Sequence, residues 1–181
     1  MARLNSIAVP GYPANGRRRR DDGQRAVGIT TGLDYLMLVV TARADEGPAG
    51  CLVGFSTQCS IDPPRYLMCL SVKNRTQRVA SNSNVVAVHF LEPQAMELAR
   101  LFGEETTDES DTFSRCRWHS VRSGYRSSTN ADGGSWGTIL EQRPFGDHVG
   151  FLLGPIAAQN QGREQSLLYH QVKDLDPGHQ P

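Results

Sequence analysis

The sequence predicts a mainly β protein, in which antiparallel strands form a barrel and short helices flank it. Apolar runs of strand length recur along the chain, and residues with turn-forming side chains separate them. Helical patterns are few and short by comparison. Strands joined by short turns favour an antiparallel barrel over a sheet with alternating helices.

The first half of the chain contains three predicted strands. Residues 35–41 form a β-rich run that ends at the turn-forming sequence of residues 45–48. The second strand is expected from residue 51 to about residue 57, and the third covers residues 66–72. Residues 62–64, Asp-Pro-Pro, must connect these two strands, because proline cannot continue a central strand.

Two short helices are expected on either side of a buried strand. The first covers residues 74–82, and the strand that follows, residues 85–91, is apolar enough to be buried on both faces. Pro93 suits the first turn of the second helix, which runs to Phe102 and ends at Gly103.

The second half of the chain is less regular. Residues 104–111 are acidic and are expected to form a loop, and no apolar run of strand length survives in residues 117–137. Order is expected to resume at residues 138–140, followed by residues 148–153 and 166–170.

The 181 residues fit one domain with flexible ends. We expect a flexible arm over residues 1–32, a barrel domain over residues 33–176 and a frayed tail over residues 177–181. Four arginines, at positions 17–20, are followed directly by two aspartates, which offset part of their charge. A solvated arm explains this run better than a nucleic-acid contact does.

Composition excludes several classes of function. Nineteen basic and nineteen acidic residues cancel, which argues against nucleic acid or an anionic membrane as partner. No window is long and apolar enough to span a bilayer. The four cysteines lack metal-ligand spacing, so we expect reduced packing residues in a cytoplasmic protein, without disulfide or metal.

A basic, hydroxyl-bearing segment follows the third strand. Lys73, Arg75 and Arg78 supply positive charge, while Thr76 and backbone amides supply directed donors. Such a segment suits a phosphate-like anion and therefore points to cofactor binding. The alternative is an ordinary charged start of a helix.

In the order and spacing of its motifs, the chain resembles the flavin reductase-like family from about residue 33 to residue 176. The fold of that family is an FMN-binding split β-barrel, and its members are usually homodimers with FMN in a groove at the interface. The markers are Ser-Ile-Asp-Pro-Pro at 60–64, Asn-Arg-Thr at 74–76, Leu-Ala-Arg-Leu-Phe-Gly at 98–103, Phe113, Gly-Asp-His at 146–148 and Leu-Leu-Tyr-His at 167–170.

The resemblance implies a set of flavin-binding residues. Positions that border the isoalloxazine, the ribityl chain and the phosphate follow one another along the chain, and the flavin would be FMN or FAD. In that order they are Val53, Gly54, Phe55, Ser56 and Thr57 at the ring, Cys59 and Ser60 beside the ribityl chain, and Lys73, Asn74, Arg75, Thr76 and Arg78 at the phosphate.

The resemblance also places His148, Tyr169 and His170 near the nicotinamide or the flavin edge. It implies an NAD(P)H-dependent flavin reductase, with NADH or NADPH as donor, that passes reduced flavin to a separate monooxygenase. Hydride transfer requires no acid, base or nucleophile from the protein, so no catalytic residue is named. A histidine at the entrance of a strand is more often structural, whereas the resemblance implies that His148 is a hydrogen-bond donor that positions the nicotinamide. His89, within a buried strand, is expected to be a core histidine.

Two alternatives remain open at this point. Leu52, Gly54 and Phe55 stand where relatives usually carry small polar side chains, and Phe55 can either stack on a planar ring or obstruct it. A deazaflavin-dependent oxidoreductase would fit that departure. The irregular stretch of residues 117–137 instead suggests a non-catalytic or degenerate split barrel that binds flavin or haem.

Overall fold

The computed structural model describes residue 30 and residues 32–104, 112–116, 118–120, 126–128, 134–159 and 165–176. The chain divides between Leu33 and Asp34 into two units, and the fold is that of the second. The predicted arm, apart from Thr30, Gly32 and the unit boundary, lies outside the described residues. So do the predicted tail at residues 177–181 and most of the predicted acidic loop.

Seven strands form one antiparallel sheet, as expected for a mainly β protein. Their order is β2-β1-β5-β8-β9-β4-β3, and a separate hairpin pairs β6 with β7. The strands are β1 (Leu38–Ala44), β2 (Gly47–Val53), β3 (Ser56–Ser60), β4 (Arg65–Ser71), β5 (Val85–Phe90), β6 (Trp118–Ser120), β7 (Arg126–Ser128), β8 (Gly134–Pro144) and β9 (His148–Gln159).

The connection between β2 and β3 forces this sheet to curl. These two strands are its opposite edges, yet only Gly54 and Phe55 separate them in the chain. Three Cα–Cα steps reach at most about 11 Å, whereas six strand spacings of about 4.8 Å would hold flat edges about 29 Å apart. The edges therefore meet at Gly54 and Phe55, and the protein is a split β-barrel.

The barrel interior is filled by alternate residues of the curled strands. On β1, Leu38, Val40 and Ala42 point inward, which is the two-residue period of a strand with one face in this core. Strands that are far apart in the sheet order contribute to the same cluster, since the sheet wraps around it. Its members include Cys51 and Val53 from β2, Met68 and Leu70 from β4, Val86 and Val88 from β5, Phe151 and Leu153 from β9, and Val79 and Ala80 from a helix.

The helices are α1 (Arg75–Ser81), α2 (Met96–Glu104) and α3 (Tyr169–Val172), with 3-10 turns at Pro93–Ala95 and Thr112–Ser114. α1 packs on the barrel cluster through Val79 and Ala80, whereas α2 and α3 cover the opposite face of β1, where Val39 shares a second cluster with Phe102 and Val172. Phe102 of α2 approaches β2 so closely that a Cβ on Gly50 would lie 2.6 Å from its ring. Both predicted helices are confirmed in position, and no helix of the described residues has the length and hydrophobicity to cross a membrane.

The predicted strand from residue 51 to residue 57 is partly wrong. The structure has two strands there, because the pairing with β1 ends at Val53 and Ser56 begins a new pairing with β4. β2 also begins earlier than expected, at Gly47, whose φ of 101° closes a tight turn after β1. The pattern of residue types is β-like throughout, so it does not reveal where the barrel edges change partner.

The irregular stretch also contains more β structure than its residues suggest. β6 and β7 pair within it, and β8 begins at Gly134, inside the region expected to lack a strand. β8 pairs with β5 on one side and β9 on the other, so this strand of the barrel is complete. A Cβ on Gly137 would lie 3.0 Å from the Cβ of Leu153, so the close packing favours glycine at this position. Because glycine is unfavourable within strands, it makes β8 harder to recognise in the sequence.

The segment predicted at residues 166–170 is a bridge and a helix rather than a strand. Leu168 makes an isolated bridge with Leu36, and α3 begins at the next residue. The Leu167 N–H donates to the carbonyl of Leu91, 2.8 Å away, and the Leu167 carbonyl accepts from Met37 N–H at the same distance. These bonds hold the C-terminal segment beside β1.

Candidate functional site

The break between the barrel edges exposes an aromatic ring. Val53 is buried in the core, while Phe55, two residues further, leaves half of its surface exposed. The backbone at Phe55 is fixed, because its carbonyl accepts a hydrogen bond of 2.8 Å from the Cys69 N–H of β4. The main chain is thus held in the barrel while the side chain stands outside it.

Four rings form what we call the aromatic row: Tyr169, Tyr35, Phe55 and His148. The Tyr35 centroid lies 6.0 Å from that of Tyr169 and 5.4 Å from that of Phe55, and both contacts are edge-to-face. The Phe55 ring then contacts the His148 imidazole with centroids 5.2 Å apart. The row joins segments that are distant in sequence.

His148 occupies the end of the row and is held by a turn. It is the first residue of β9 and pairs with Ser71, the last residue of β4. Its carbonyl accepts from the Phe145 N–H at 2.7 Å, across a turn in which Gly146 has a φ of 83°. Nδ1 of its ring lies 2.9 Å from Oδ1 of Asp147.

Charge surrounds this end of the row. The hydrogen bond with His148, together with the charge of that ring, lowers the pKa of Asp147, and the nearby charge of Lys73 lowers it further. The Asp147 carbonyl accepts from the Val72 N–H at 3.0 Å, which joins the turn to the start of the basic segment. His148, Asp147 and Lys73 therefore form one electrostatically linked group.

His170 lies at the opposite end of the row, beside Tyr169. Its Nδ1 lies 2.5 Å from Oδ2 of Asp34, and its backbone N–H donates to Oδ1 of the same carboxylate at 3.0 Å. These contacts lower the pKa of Asp34. Asp34 thus holds the first turn of α3 next to Tyr35.

The basic segment is used partly for structure. The Arg75 guanidinium donates to the carbonyls of Pro48 at 2.8 Å and Glu46 at 3.2 Å, so it fastens α1 to the turn between β1 and β2. The Asn74 side chain caps α1 by accepting from the Thr76 N–H at 2.8 Å. Lys73 and Arg78 are exposed.

Thr76 faces the protein rather than the surface. Only 1% of its surface is exposed, and its hydroxyl makes a hydrogen bond with the Cys51 thiol. Burial nevertheless raises the pKa of Cys51 to about 12. The better candidates for a phosphate are Lys73 and Arg78, because their cationic side chains are exposed.

The predicted residues of β3 spread along an edge strand. Ser56 directly follows Phe55, and its hydroxyl accepts from the Tyr66 hydroxyl at 2.8 Å. Thr57 and Cys59 are exposed, and Cys59 lies at a bulge next to Ser60. Ser60 is four residues from Ser56, or about 13 Å along the strand. Cys59 and Ser60 therefore lie further along β3, away from Phe55.

Several residues predicted to contact the flavin ring or the nicotinamide ring therefore lie together in the structure. The residues predicted to bind the phosphate are brought together less clearly. Phe55, His148 and Tyr169 share the row, and His170 adjoins it. Sequence reasoning missed Tyr35, which joins Phe55 to Tyr169, and Asp34, the partner of His170. Nothing in the residues around Asp34 and Tyr35 marks them, since their partners lie far along the chain. His89, by contrast, is buried as predicted, with Nε2 3.4 Å from the Thr41 hydroxyl.

The row has the chemistry of a site for flat rings. Phe55 and Tyr169 expose 50% and 44% of their surfaces, and a planar heteroaromatic ring can pack on such faces. The basic segment next to His148 can attract an anionic group attached to that ring. These features fit a flavin or a nicotinamide nucleotide. Among the described residues, no three acidic, histidine or cysteine side chains group as metal ligands.

The seven-stranded sheet whose edge strands β2 and β3 are joined by only two residues defines a protein of the split-barrel class. Residues 32–176 match the model of the flavin reductase like domain. The chain therefore belongs to the flavin reductase-like family, as its motifs predicted. Among curated proteins no significant match is found.

Solved structures of similar fold include an NADH:FAD oxidoreductase from Streptomyces globisporus. It shares 22% identity with this chain at a TM-score of 0.74, over 86% of this chain and 93% of its own. The flavin reductase component of a bacterial two-component tryptophan halogenase has 22% identity and a TM-score of 0.71, over 83% and 94% of the two chains. An oxidoreductase-like protein from Sinorhizobium meliloti matches at 23% identity and a TM-score of 0.70, over 84% of this chain, which spans about half (51%) of that protein.

Proposed function

We propose that this protein is an NAD(P)H-dependent flavin reductase that binds FMN at the aromatic row. The observation that carries the proposal is the row itself. Phe55 and His148 present ring surfaces at the break in the barrel, and the charge of Lys73 acts on Asp147, the residue that precedes His148. Lys73 and Arg78, the exposed cations of the basic segment, would bind the phosphate of an FMN whose isoalloxazine lies on the row.

The two cofactors, when bound, would supply the chemistry, which is hydride transfer from the dihydropyridine to the flavin. The contribution of the protein is to align the two rings and to exclude water. Phe55 would pack against one ring, and His148 would hydrogen-bond to the nicotinamide. The contacts of Tyr35 with Phe55 and Tyr169 would fix the shape of the surface on which the rings lie.

We further propose that the protein works as a homodimer with a separate oxygenase as its partner, in the cytoplasm. Phe55, Tyr169 and Leu36 expose between 39% and 50% of their surfaces, which a second copy closing over the row would cover. One similar structure is described as the flavin reductase component of a halogenase system, which supports a role in supplying reduced flavin.

A titration with FMN and with FAD, followed by anaerobic addition of NADH or NADPH, tests the proposal. Saturable flavin binding and loss of flavin absorbance with either nicotinamide are expected. Binding without loss of absorbance would reduce the protein to a flavin-binding module. Binding of a deazaflavin in place of FMN would favour the alternative reading of Phe55 as an obstruction to FMN.

The matched control for this experiment is a pair of phenylalanine variants. Phe55 and Phe145 are equally exposed, at 50% and 53%, but only Phe55 belongs to the aromatic row. Phe55→Ala is expected to weaken flavin or nicotinamide binding, whereas Phe145→Ala should leave both unchanged. Equal effects of the two variants would mean that the row is not the site.

A further inference from the structure

The hydrogen bond between Asp147 and His148 determines which ring nitrogen of His148 carries a proton. Oδ1 of Asp147 lies 2.9 Å from Nδ1 of His148. Because the pKa of Asp147 is lowered, its carboxylate is ionised near neutral pH and can only accept hydrogen bonds. Nδ1 must therefore be the donor, and in the neutral ring Nε2 is left with its lone pair.

The surroundings hold the imidazole in this orientation. The imidazole also contacts the Phe55 ring, with centroids 5.2 Å apart and planes inclined by 55°. The His148 side chain is 26% exposed, so part of the ring stays accessible to a ligand. The turn that carries Asp147 is fixed at both ends by the backbone hydrogen bonds to Val72 and Phe145.

We propose that Asp147 is a positioning residue that keeps His148 in the tautomer protonated on Nδ1, so that Nε2 accepts a hydrogen bond from the carboxamide N–H of the nicotinamide. This inference rests on the proposed function. A carboxamide offers both an NH₂ donor and a carbonyl acceptor, and the tautomer of His148 selects between them. With the other tautomer, Nε2–H would instead donate to the carbonyl oxygen.

The first test is made on the protein without ligand, by nitrogen-15 NMR of the histidine rings above the pH at which they titrate. Wild-type His148 is expected to show a protonated Nδ1 and an unprotonated Nε2. Asp147→Ala removes the acceptor and should shift the population to the other tautomer, while Asp147→Asn, which keeps an acceptor oxygen, should give an intermediate result. Glu97→Gln, a change of an exposed carboxylate on α2, is the control and should leave the spectrum unchanged.

The second test compares reduced nicotinamide dinucleotide with its 3-acetylpyridine analogue, in which a methyl group replaces the NH₂. The two donors differ in intrinsic reactivity, so the quantity compared is the ratio of wild-type to variant kcat/KM for each donor. Asp147→Ala and His148→Ala should lower kcat/KM for the natural donor by about three- to tenfold, chiefly through KM, and should have little effect with the analogue.

The outcomes separate this inference from the proposed function. A wild-type protein that oxidises neither donor would overturn the proposed function and the recognition of nicotinamide with it. An active protein whose His148 is protonated on Nε2, or whose tautomer is unchanged in Asp147→Ala, would overturn the positioning role of Asp147 alone. Equal losses with both donors would show that Nε2 does not bind the carboxamide N–H.

Discussion

Phe55 and His148 pack ring against ring although 93 positions separate them in the sequence, with centroids 5.2 Å apart. Phe55 stands where the chain crosses from one edge of the sheet to the other, and His148 begins β9. The contact therefore depends on closure of the barrel. Closure of the barrel places Phe55, at the break between two strands, next to His148, at the start of another, so that the two rings form one surface.

Replacing Phe55 by alanine should weaken binding more than folding. The side chain is half exposed, so its removal should cost less free energy of unfolding than the roughly 3–5 kcal/mol expected for a buried phenylalanine. Loss of a ring that packs on a ligand should weaken binding by about 0.5–1.5 kcal/mol, which corresponds to about two- to tenfold in Kd. Flavin titration and urea denaturation of the same variant measure the two effects, and a large loss of stability with unchanged binding would contradict the prediction.

Lys73 and Arg78 should discriminate between flavins that differ in the phosphate. Their replacement by alanine should raise the Kd for FMN by about tenfold for each lost charged contact and leave riboflavin within about twofold. The measurement is a parallel fluorescence titration with FMN and riboflavin. Arg100→Ala, at an exposed arginine on α2, is the control. Equal losses for both flavins would remove the phosphate assignment.

Arg75 should behave differently from its two neighbours. Its guanidinium binds the carbonyls of Pro48 and Glu46, so Arg75→Ala should lower the free energy of unfolding by about 1–2 kcal/mol. Any loss of flavin affinity should then be similar for FMN and riboflavin. Urea denaturation tests the first expectation, with Arg78→Ala as the comparison. An Arg75→Ala protein of unchanged stability that selectively loses FMN would restore Arg75 to the phosphate site.

The sequence predicted the fold well because several strands carry their pattern locally. The strands at 66–72 and 85–91 are apolar, and the helix at 74–82 starts at a residue that caps it, Asn74. β8 could not be predicted in the same way. Its first residues include Gly134, Ser135 and Gly137, and the packing of Gly137 against Leu153 depends on a strand that comes later in the chain.

The candidate site was predictable where the relevant property belongs to one residue, and it was missed where it belongs to a pair. An unusual Phe55 and a histidine at a strand entrance can be recognised in the sequence. The direction of the Arg75 side chain, the burial of Thr76 and the bond between Asp34 and His170 cannot, since each depends on a partner from another element. The sequence shows which residues are charged, but the partner that each charged side chain contacts is determined only by the fold.

The cysteines should differ strongly in reactivity. Cys59 is exposed on β3, whereas Cys51 is buried and has a pKa of about 12. At pH 8, iodoacetamide should modify Cys59 in the native protein and reach Cys51 only after unfolding, because the thiolate is the reactive form. Peptide mass spectrometry after timed alkylation identifies the sites, and Cys59→Ser should remove the fast reaction. Rapid labelling of native Cys51 would show that β2 is more accessible than the structure indicates.

The contact of Asp34 with His170 should make the attachment of α3 dependent on pH. Hydrogen bonds from the side chain and the backbone of His170 lower the pKa of Asp34 in the folded protein. Because the folded pKa lies below the unfolded value of about 3.9, the stabilisation is present above that pH and is lost as the pH falls through the folded pKa. Asp34→Asn imitates the protonated side chain at every pH.

Hydrogen exchange at the His170 amide reports this contact directly, since that N–H donates to Oδ1 of Asp34 at 3.0 Å. We expect the amide to exchange faster in Asp34→Asn than in wild type at pH 6, and the ratio of the two rates to approach one as the pH falls below about 4. Taking the ratio at each pH cancels the intrinsic pH dependence of exchange. Asp174→Asn, at an exposed aspartate beyond α3, is the control and should give a ratio near one throughout. A ratio for Asp34→Asn that does not change with pH would mean that ionisation of Asp34 does not hold α3 against Tyr35.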